Sequence, residues 1–148
     1  MKFFSSTVPG NSPSHLLEAF PWKDLRAARV VDVGDADGYV SILLGQSFPE
    51  LQITVENLPH VTEAGNVPLA RQGKIEFKAQ DFFQEQKVKG ADVYLLRRVL
   101  HDWPDKLAIE ILRALIPVLK RGANVVINDN VASGQTGLMP LIPEQFVR

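Results

Sequence analysis

The sequence contains no cysteine. A chain without thiols has no disulfide framework, no thiolate metal site and no cysteine nucleophile. It also lacks an apolar run of the roughly 18 residues that a membrane-spanning helix needs. Ser, Pro and Gly follow Phe4, where a secretory signal peptide would need a continuous apolar stretch. These absences predict a cytoplasmic protein that does not associate with a membrane.

Neither sign of charge is in excess, since 16 basic and 17 acidic residues give a formal net charge of -1. The chain therefore lacks the basic surface that nucleic acid or an anionic membrane attracts, and a small molecule or another protein is the expected partner. Its 148 residues, 45% of them hydrophobic, suffice for one globular core and are too few for two. We expect a loop over residues 1–12, one domain over 13–132, and a tail over 133–148 that is either loop or a segment for docking a partner.

Short β-branched segments alternate with helical segments along the chain. Strands are predicted over residues 28–33, 51–55, 75–77, 91–96 and 124–129, and helices over 38–48 and 104–119. The second of these helices begins at Pro104 and is stopped by Gly122. Ser12 or Ser14 caps a short helix at the start of the domain. Strands that alternate with helices predict an α/β fold with a mainly parallel five-stranded sheet.

The loop after the first predicted strand reads Val31-Asp32-Val33-Gly34-Asp35-Ala36-Asp37-Gly38. In a doubly wound sheet this turn faces a ligand closely, and its glycines let backbone N–H groups reach an anionic group. Asp35 and Asp37 stand between Gly34 and Gly38. A carboxylate about 4 Å from a ligand carboxylate costs roughly 1 to 4 kcal/mol at surface-like dielectric. The sequence thus predicts weakened binding of an anionic group, with helix capping by the two aspartates as the alternative.

The second predicted strand leads into Val55-Glu56-Asn57-Leu58-Pro59. An acidic residue at this position often accepts hydrogen bonds from ribose hydroxyls. Glu56 can do this, with a surface glutamate as the alternative. If the register places Asn57 there instead, the charge-assisted hydrogen bond is lost and the interaction is weaker.

Five short motifs are more specific than the strand pattern. They are Ser12-Pro13-Ser14-His15-Leu16-Leu17, Asp81-Phe82-Phe83, Gly90-Ala91-Asp92-Val93-Tyr94-Leu95-Leu96-Arg97, Leu100-His101-Asp102-Trp103-Pro104-Asp105 and Val126-Ile127-Asn128-Asp129. Together they resemble the plant and fungal S-adenosylmethionine-dependent O-methyltransferases of natural-product pathways. The resemblance covers nearly the whole chain, and the HDWPD motif at residues 101–105 is highly specific. It implies a Rossmann-like class I methyltransferase core.

The resemblance also implies a base and a cofactor site. In the family a histidine at the position of His101 is the general base that deprotonates the acceptor hydroxyl, and an acidic residue matching Asp129 orients it. Arg97 matches a basic residue common before the histidine, while Arg98 replaces the usual tryptophan. Without the resemblance, a lone histidine here would more often be structural. The positions implied for S-adenosylmethionine are Asp32, Gly34, Gly38, Glu56, Asn57, Asp81 and Phe82.

Several departures from the family pattern weaken methyl transfer. Asp35 replaces the second glycine of the loop motif, and Asn57 stands in place of the usual ribose aspartate. Relative to family members, we also expect a chain without the N-terminal helical dimerisation domain, the closing helix and the final strands. Such a core has an unfinished sheet edge, which predicts a homo-oligomer or a complex with another protein chain.

Three functions are consistent with this pattern. The first is a former methyltransferase that performs acid–base chemistry (cyclisation, isomerisation or dehydration) on a natural product through His101 and Asp129, with Arg97 or Arg98 polarising a carbonyl. The second is an S-adenosylmethionine-dependent O-methyltransferase of phenolic or polyketide hydroxyls, alone or completed by another chain. The third is a non-catalytic partner subunit of a larger enzyme. We favour the first, because a purely structural remnant has no need of His101 and Asp129 together.

Overall fold

The computed structural model of the protein describes residues 12–35, 38–59 and 73–129. Its centre is a sheet formed by β1 (Arg29–Val33), β2 (Gln52–Asn57), β3 (Ile75–Ala79), β4 (Val93–Arg97) and β5 (Asn124–Asn128). The strands lie in the order β3-β2-β1-β4-β5, and every neighbouring pair is parallel. The five strands predicted from the sequence, and their parallel arrangement, are confirmed.

Helices cover both faces of the sheet. The described helices are α1 (Pro13–Ala19), α2 (Tyr39–Ser47) and α3 (Asp105–Leu115), with single 3-10 turns at Trp22–Leu25, Leu100–Asp102 and Ile116–Val118. Ser12 is the N-cap of α1, and its Oγ accepts a hydrogen bond from the Ser14 N–H at 3.4 Å. None of the described helices is long and apolar enough to cross a membrane.

The helix after Pro104 is shorter than its apolar stripe predicts. α3 ends at Leu115, and the chain continues as a 3-10 turn that contains Pro117. Proline has no N–H to donate to the helix, and its ring collides with the carbonyl group four residues earlier. The prediction of a helix to Leu119 that Gly122 stops was therefore wrong. Gly122, at φ +84°, instead belongs to the turn that leads to β5.

The sheet carries a separate hydrophobic core on each face. On the first, called the α2 face, α1 and α2 pack with Trp22 against Val30 and Leu95. On the second, called the α3 face, α3 packs against Val31 and Leu96. Consecutive strand residues point to opposite faces because the backbone is pleated. This alternation determines which polar side chains of neighbouring strands lie on the same face of the sheet.

The strand order reverses at β1, which pairs with β2 on one side and with β4 on the other. In open parallel sheets the crevice at such a switch point, outside the carboxyl ends of the strands, is the usual place for a ligand. The described residues that directly follow β1, β2, β4 and β5 all lie at this edge. Residues from four distant parts of the chain therefore meet there.

Candidate active site at the carboxyl ends of the strands

A histidine and an aspartate meet where β4 and β5 end. His101 lies in the 3-10 turn after β4, and Asp129 directly follows β5. The Nδ1 atom of His101 is 2.6 Å from Asp129 Oδ1, and the backbone N–H of His101 donates to Asp129 Oδ2 at 3.1 Å. One carboxylate thus fixes both the ring and the backbone of the histidine.

The other ring nitrogen of His101 contacts a second carboxylate. Nε2 lies 3.1 Å from Asp102 Oδ1, and the side chains of His101 and Asp102 are 30% and 67% exposed. When Nδ1 carries the proton donated to Asp129, Nε2 is the nitrogen that can take a proton from a hydroxyl. The contact with Asp102 requires a proton on Nε2, so Nε2 becomes a base once that proton is lost and the contact is released. A contact with so exposed a carboxylate contributes about 0–1 kcal/mol, so a bound molecule displaces it at little cost.

The two arginines of the predicted site have different positions. Leu95 pairs with Asp32, and Arg97 ends β4 two residues after Leu95. Because side chains two residues apart in a strand point to the same face, Arg97 lies on the same face of the sheet as Asp32. Its positive charge acts on the Asp32 carboxyl. Arg98 has φ +54°, an uncommon value for a side-chain-bearing residue, and its N–H donates to the Asn128 carbonyl at 2.9 Å. This turn redirects the chain from β4 towards His101.

The loop after β1 contains two glycines with left-handed backbones. Gly34 has φ +84°, and an added Cβ would lie 3.0 Å from Val99 Cγ2 and 3.6 Å from the ring of Phe82. Gly38 has φ +70° and is the N-cap residue of α2. L-residues rarely adopt this conformation, so both positions favour glycine. Gly34 therefore packs closely against Phe82. This contact places Phe82 beside the glycine loop, in the same predicted site.

Asp32 is a buried acid beneath this loop. Its side chain lies on the α2 face with no exposed surface, and the Ser41 hydroxyl donates to its Oδ2 at 2.5 Å. Oδ1 forms no hydrogen bond within the described part of the chain. Burial and the neighbouring Asp35 carboxylate raise the pKa of Asp32 well above its usual value, against smaller opposing effects of Ser41 and Arg97. Asp32 thus holds a proton more readily than an exposed aspartate.

Asp35 occupies the N-terminal end of α2. Its Oδ2 accepts a hydrogen bond from the backbone N–H of Ser41, the third residue of the helix, at 3.4 Å. Gly38, the N-cap residue, provides no side chain for this purpose. The sequence left two roles open for Asp35, which were helix capping and repulsion of an anionic ligand. The structure shows the capping contact, and this contact is compatible with the second role. Asp37 lies outside the described residues.

Ser41 is a residue of the site that was not predicted from the sequence. The residue is fully buried in the first turn of α2, beside Val40 and Leu44, and its hydroxyl holds Asp32 while its N–H is capped by Asp35. A lone serine on the buried side of an otherwise apolar helix is the signal that could have found it, because a buried hydroxyl needs a partner.

The register separates the two candidates for a ribose contact. Glu56 pairs with Val33 on the α3 face, whereas Asn57 comes one residue later and points to the α2 face, which Asp32 shares. Asn57 Oδ1 accepts a hydrogen bond from the Leu58 N–H at 2.8 Å, so its amide offers a ligand mainly donors. The structure thus brings Asn57, and not the Glu56 carboxyl, to the face of the glycine loop.

Glu56 is instead a buried acid on the α3 face. Its side chain is 2% exposed. Burial raises the pKa of Glu56, and Gln86, Lys78 and Lys87 offset this only in part. An unfolded glutamate titrates near pH 4.3. Glu56 therefore favours folding at and below about pH 4.3, and this contribution is lost as pH rises through the higher pKa of the folded state.

Glu56→Gln is expected to stabilise the protein at pH 8, where the native glutamate is charged and buried. The gain in the free energy of unfolding should be on the order of 1 kcal/mol and should shrink towards zero near pH 4. Urea denaturation at pH 8, 6 and 4.5 measures it. Glu85→Gln, at an exposed position in the same region, is the control and should change stability by less than about 0.5 kcal/mol. If Glu56→Gln destabilised the protein at all three pH values, this would contradict the conclusion that burial of the charged Glu56 carboxylate costs stability.

An aromatic cluster stands between the glycine loop and the histidine turn. Asp81 Oδ1 accepts a hydrogen bond from the Phe83 N–H at 2.9 Å, which fixes the turn after β3. The Phe83 and Trp103 rings meet edge-on with centroids 4.8 Å apart, and Phe82 lies 5.1 Å from Phe83 and 6.0 Å from Trp103. Phe82 links this cluster to Gly34. The predicted positions Asp81 and Phe82 therefore join the site, with Trp103 packed behind them.

The described residues contain no group of three or more histidine, cysteine or acidic side chains placed to hold a metal ion. The chemistry of the site, as far as the structure describes it, rests on a histidine, buried and exposed carboxyls, amides and backbone groups. This combination suits proton transfer to and from a bound organic molecule.

The sheet order and the helices on both faces are those of Rossmann-like methyltransferases. Two solved structures, "The structure of LepI complex with SAM" and "A Pericyclic Reaction enzyme", each match 80% of this chain at 30% identity with a TM-score of 0.69. Within that class, the chain belongs to the O-methyltransferase domain family, whose model matches residues 12–140.

A curated relative points to natural-product chemistry. The grayanic acid biosynthesis cluster O-methyltransferase of Cladonia grayi is 46% identical to this chain over 135 residues, which are 88% of this chain and 30% of that protein. The two solved structures are covered to 33% of their length. The chain thus spans about a third of the length of these relatives. It shares their core.

S-adenosylmethionine, the cofactor that the family implies, fits this edge only in part. The left-handed Gly34 leaves its backbone uncovered beside Phe82, and Asn57 offers amide donors, as the nucleoside half requires. At the end of the loop where α2 begins, the carboxylate of Asp35 itself contacts the helix N-terminus, where an anionic ligand group would otherwise lie. The described residues therefore provide contacts suited to the nucleoside half of the cofactor, while the Asp35 carboxylate disfavours its carboxylate half.

Proposed function

We propose that this chain carries the general base of a natural-product O-methyltransferase, with His101 deprotonating the hydroxyl of a phenolic or polyketide acceptor. The observation that carries the proposal is the contact of 2.6 Å between His101 Nδ1 and Asp129 Oδ1. It leaves Nε2 as the proton acceptor on a ring that cannot turn freely. A small-molecule acceptor is the expected partner.

The proton movement follows from this geometry. The acceptor hydroxyl replaces the exposed Asp102 carboxylate beside Nε2 and donates its hydrogen bond there. The O–H bond breaks as the proton moves to Nε2, and the electron pair stays on the oxygen. Asp129, which is hydrogen-bonded to the opposite nitrogen, stabilises the positive charge that develops on the ring. A bound methyl donor would supply the electrophilic methyl group that this oxygen attacks.

Formation of a methyl ether tests the proposal. The protein is incubated with methyl-labelled S-adenosylmethionine at millimolar concentration and a panel of phenols, alone and together with a full-length relative. Mass spectrometry should detect labelled methyl ethers. Because the chain spans about a third of its relatives, product formed only in the mixture also supports the proposal, provided that His101→Ala in this chain abolishes it. No labelled product under either condition would contradict it.

A second candidate function is acid–base chemistry without methyl transfer, such as cyclisation, isomerisation or dehydration of a natural product. Two observations favour it: Asp35 at the α2 N-terminus disfavours the cofactor carboxylate, and one structure similar to this chain is described as a pericyclic reaction enzyme. Conversion of an acceptor without change in mass, after trace S-adenosylmethionine has been removed enzymatically, would support it. Strict dependence of all turnover on a methyl donor would exclude it.

A further inference from the structure

A cavity of about 220 Å³ lies at the amino ends of β1, β2 and β3, at the edge of the sheet opposite the glycine loop and His101. Arg29 and Gln52 pair in the first row of its floor, and Thr54 and Glu76 pair in the next row. These side chains point to the α3 face, because the residues that alternate with them along each strand belong to the core of the α2 face. No residue of a described helix lines the cavity. Its floor is therefore open sheet and not a helix–sheet interface.

The side chains of this floor are polar, whereas the part of the same face beneath α3 is apolar. Under α3, β1 and β4 present Val31 and Leu96 to the core. Next to them, β2 presents the exposed amide of Gln52 and the hydroxyl of Thr54. Strands of a parallel sheet that are covered on both faces are apolar on both. The polar side chains therefore indicate that this part of the sheet contacts water or a polar ligand.

Two acidic side chains at this edge already have basic partners. Glu76, which lines the cavity, contacts Lys78 Nζ through its Oε1 at 2.9 Å. The hydrogen bond from Lys78 lowers the pKa of Glu76, so both groups are charged at neutral pH. Asp92 accepts a hydrogen bond from the backbone N–H of Arg29, and its Oδ1 contacts Lys120 Nζ at 2.5 Å. Each of the two acids is thus matched by a lysine that does not line the cavity.

Arg29 and Lys74 are the two basic side chains that line the cavity. Both are exposed, and neither forms an ion pair with an acid in the described part of the chain. The guanidinium of Arg29 donates to the Lys89 carbonyl at 3.5 Å, which occupies one of its five N–H groups. β2 separates the two residues, so their backbones are roughly 10 Å apart, which is two strand spacings. Two positive charges therefore face the cavity from opposite sides.

We propose that this cavity binds a small dicarboxylate, with one carboxylate on the Arg29 guanidinium, the other on Lys74, and the Gln52 amide between them. An arginine fork binds a carboxylate through two parallel hydrogen bonds, and a lysine attracts the second carboxylate as a point charge. Two separated cations suit two separated anionic groups better than the single group of inorganic phosphate. The volume is below the about 300–1,000 Å³ of sites for drug-sized ligands, so it suits a small organic acid.

Titrations followed by two-dimensional amide NMR test this site with three probes at constant ionic strength. Succinate has two carboxylates, butyrate has one on a chain of the same length, and inorganic phosphate has one anionic group. Succinate should bind saturably at millimolar concentration and should shift the amide signals of Arg29, Gln52 and Lys74. Butyrate and phosphate should each bind about three- to tenfold more weakly, because each satisfies only one of the two cations. The signals of the His101 turn should not move.

Variants at exposed positions separate this site from a general attraction of anions. Arg29→Gln and Lys74→Gln should each weaken succinate binding by about three- to tenfold, whereas Lys23→Gln removes an exposed positive charge elsewhere and should leave it unchanged. Glu76→Gln should strengthen it by about two- to threefold, because the one acidic side chain of the cavity is removed.

The proposal is overturned if succinate causes no saturable shift in the native protein. It is also overturned if phosphate binds as tightly as succinate, or if Lys23→Gln weakens binding as much as Arg29→Gln does. The measurement needs neither a methyl donor nor turnover, and the cavity lies at the edge opposite His101. Failure here is therefore distinct from failure to form a methyl ether.

Discussion

His101→Ala is expected to lower kcat for methyl ether formation by about 10²- to 10⁴-fold, because the acceptor hydroxyl loses the group that removes its proton. KM should change little, since Nε2 makes only one of the contacts to the acceptor. Initial rates over a range of acceptor concentrations separate kcat from KM. The loss should diminish at high pH, where hydroxide deprotonates a phenol without assistance.

Two variants control this experiment. His15→Ala removes the described histidine of α1 and should leave kcat within about twofold, since His15 has no contact with the proposed base. Asp129→Asn keeps a side chain of the same size but removes the charge that holds the Nδ1 proton, so kcat should fall by a smaller factor than in His101→Ala. If His101→Ala still formed the methyl ether with the kcat of the native protein, the general base would be a different residue.

Gly38→Ala is expected to destabilise the protein by about 2–5 kcal/mol, the largest stability effect that we predict for a single methyl group. The φ of +70° costs an L-residue about 1–2 kcal/mol. The new Cβ would also lie 2.7 Å from Phe77 Cε1 and closer still to Cζ, so the ring must shift at a cost of about 1–3 kcal/mol. Chemical denaturation measures the free energy of unfolding.

The cost of the left-handed backbone and the cost of displacing Phe77 can be measured separately. Gly90 has φ +67° and nothing within 4 Å of an added Cβ, so Gly90→Ala measures the backbone cost alone. The difference between the two alanine variants is then the cost of displacing Phe77. Combining Gly38→Ala with Phe77→Leu should recover part of that difference, as a double-mutant cycle would show. Equal losses in Gly38→Ala and Gly90→Ala would mean that Phe77 moves aside freely.

The position of Gly38 matters for function because it ends the glycine loop, which lies beside the histidine turn. The glycine loop follows β1 and the histidine turn follows β4, and these strands are hydrogen-bonded neighbours. A nucleoside at the loop and an acceptor at His101 would therefore lie side by side across the switch point. A shift of Phe77 and of the start of α2 is expected to affect the loop before it affects His101, so ligand affinity should fall more than proton transfer in Gly38→Ala.

Much of the fold could be predicted from local sequence. Each strand is a short β-branched run, and parallel pairing follows from the helices between the strands. The pairing of His101 with Asp129 also follows once the order of strands is known, because β4 and β5 are parallel neighbours and both residues come just after their carboxyl ends. The family resemblance, and not the spacing of 28 residues, was what indicated that the pair is functional.

The sequence by itself determined the number and kind of strands, the two glycines of the loop after the first strand, and the residue types at the carboxyl ends of the strands. Only the tertiary structure decided that Asn57 and not Glu56 shares a face with Asp32, since one residue of register reverses the direction of every strand side chain. It also decided that the Asp35 carboxylate turns to the α2 N-terminus and that Ser41 holds Asp32. These contacts depend on the packing of a helix against a sheet, and no local pattern encodes that packing.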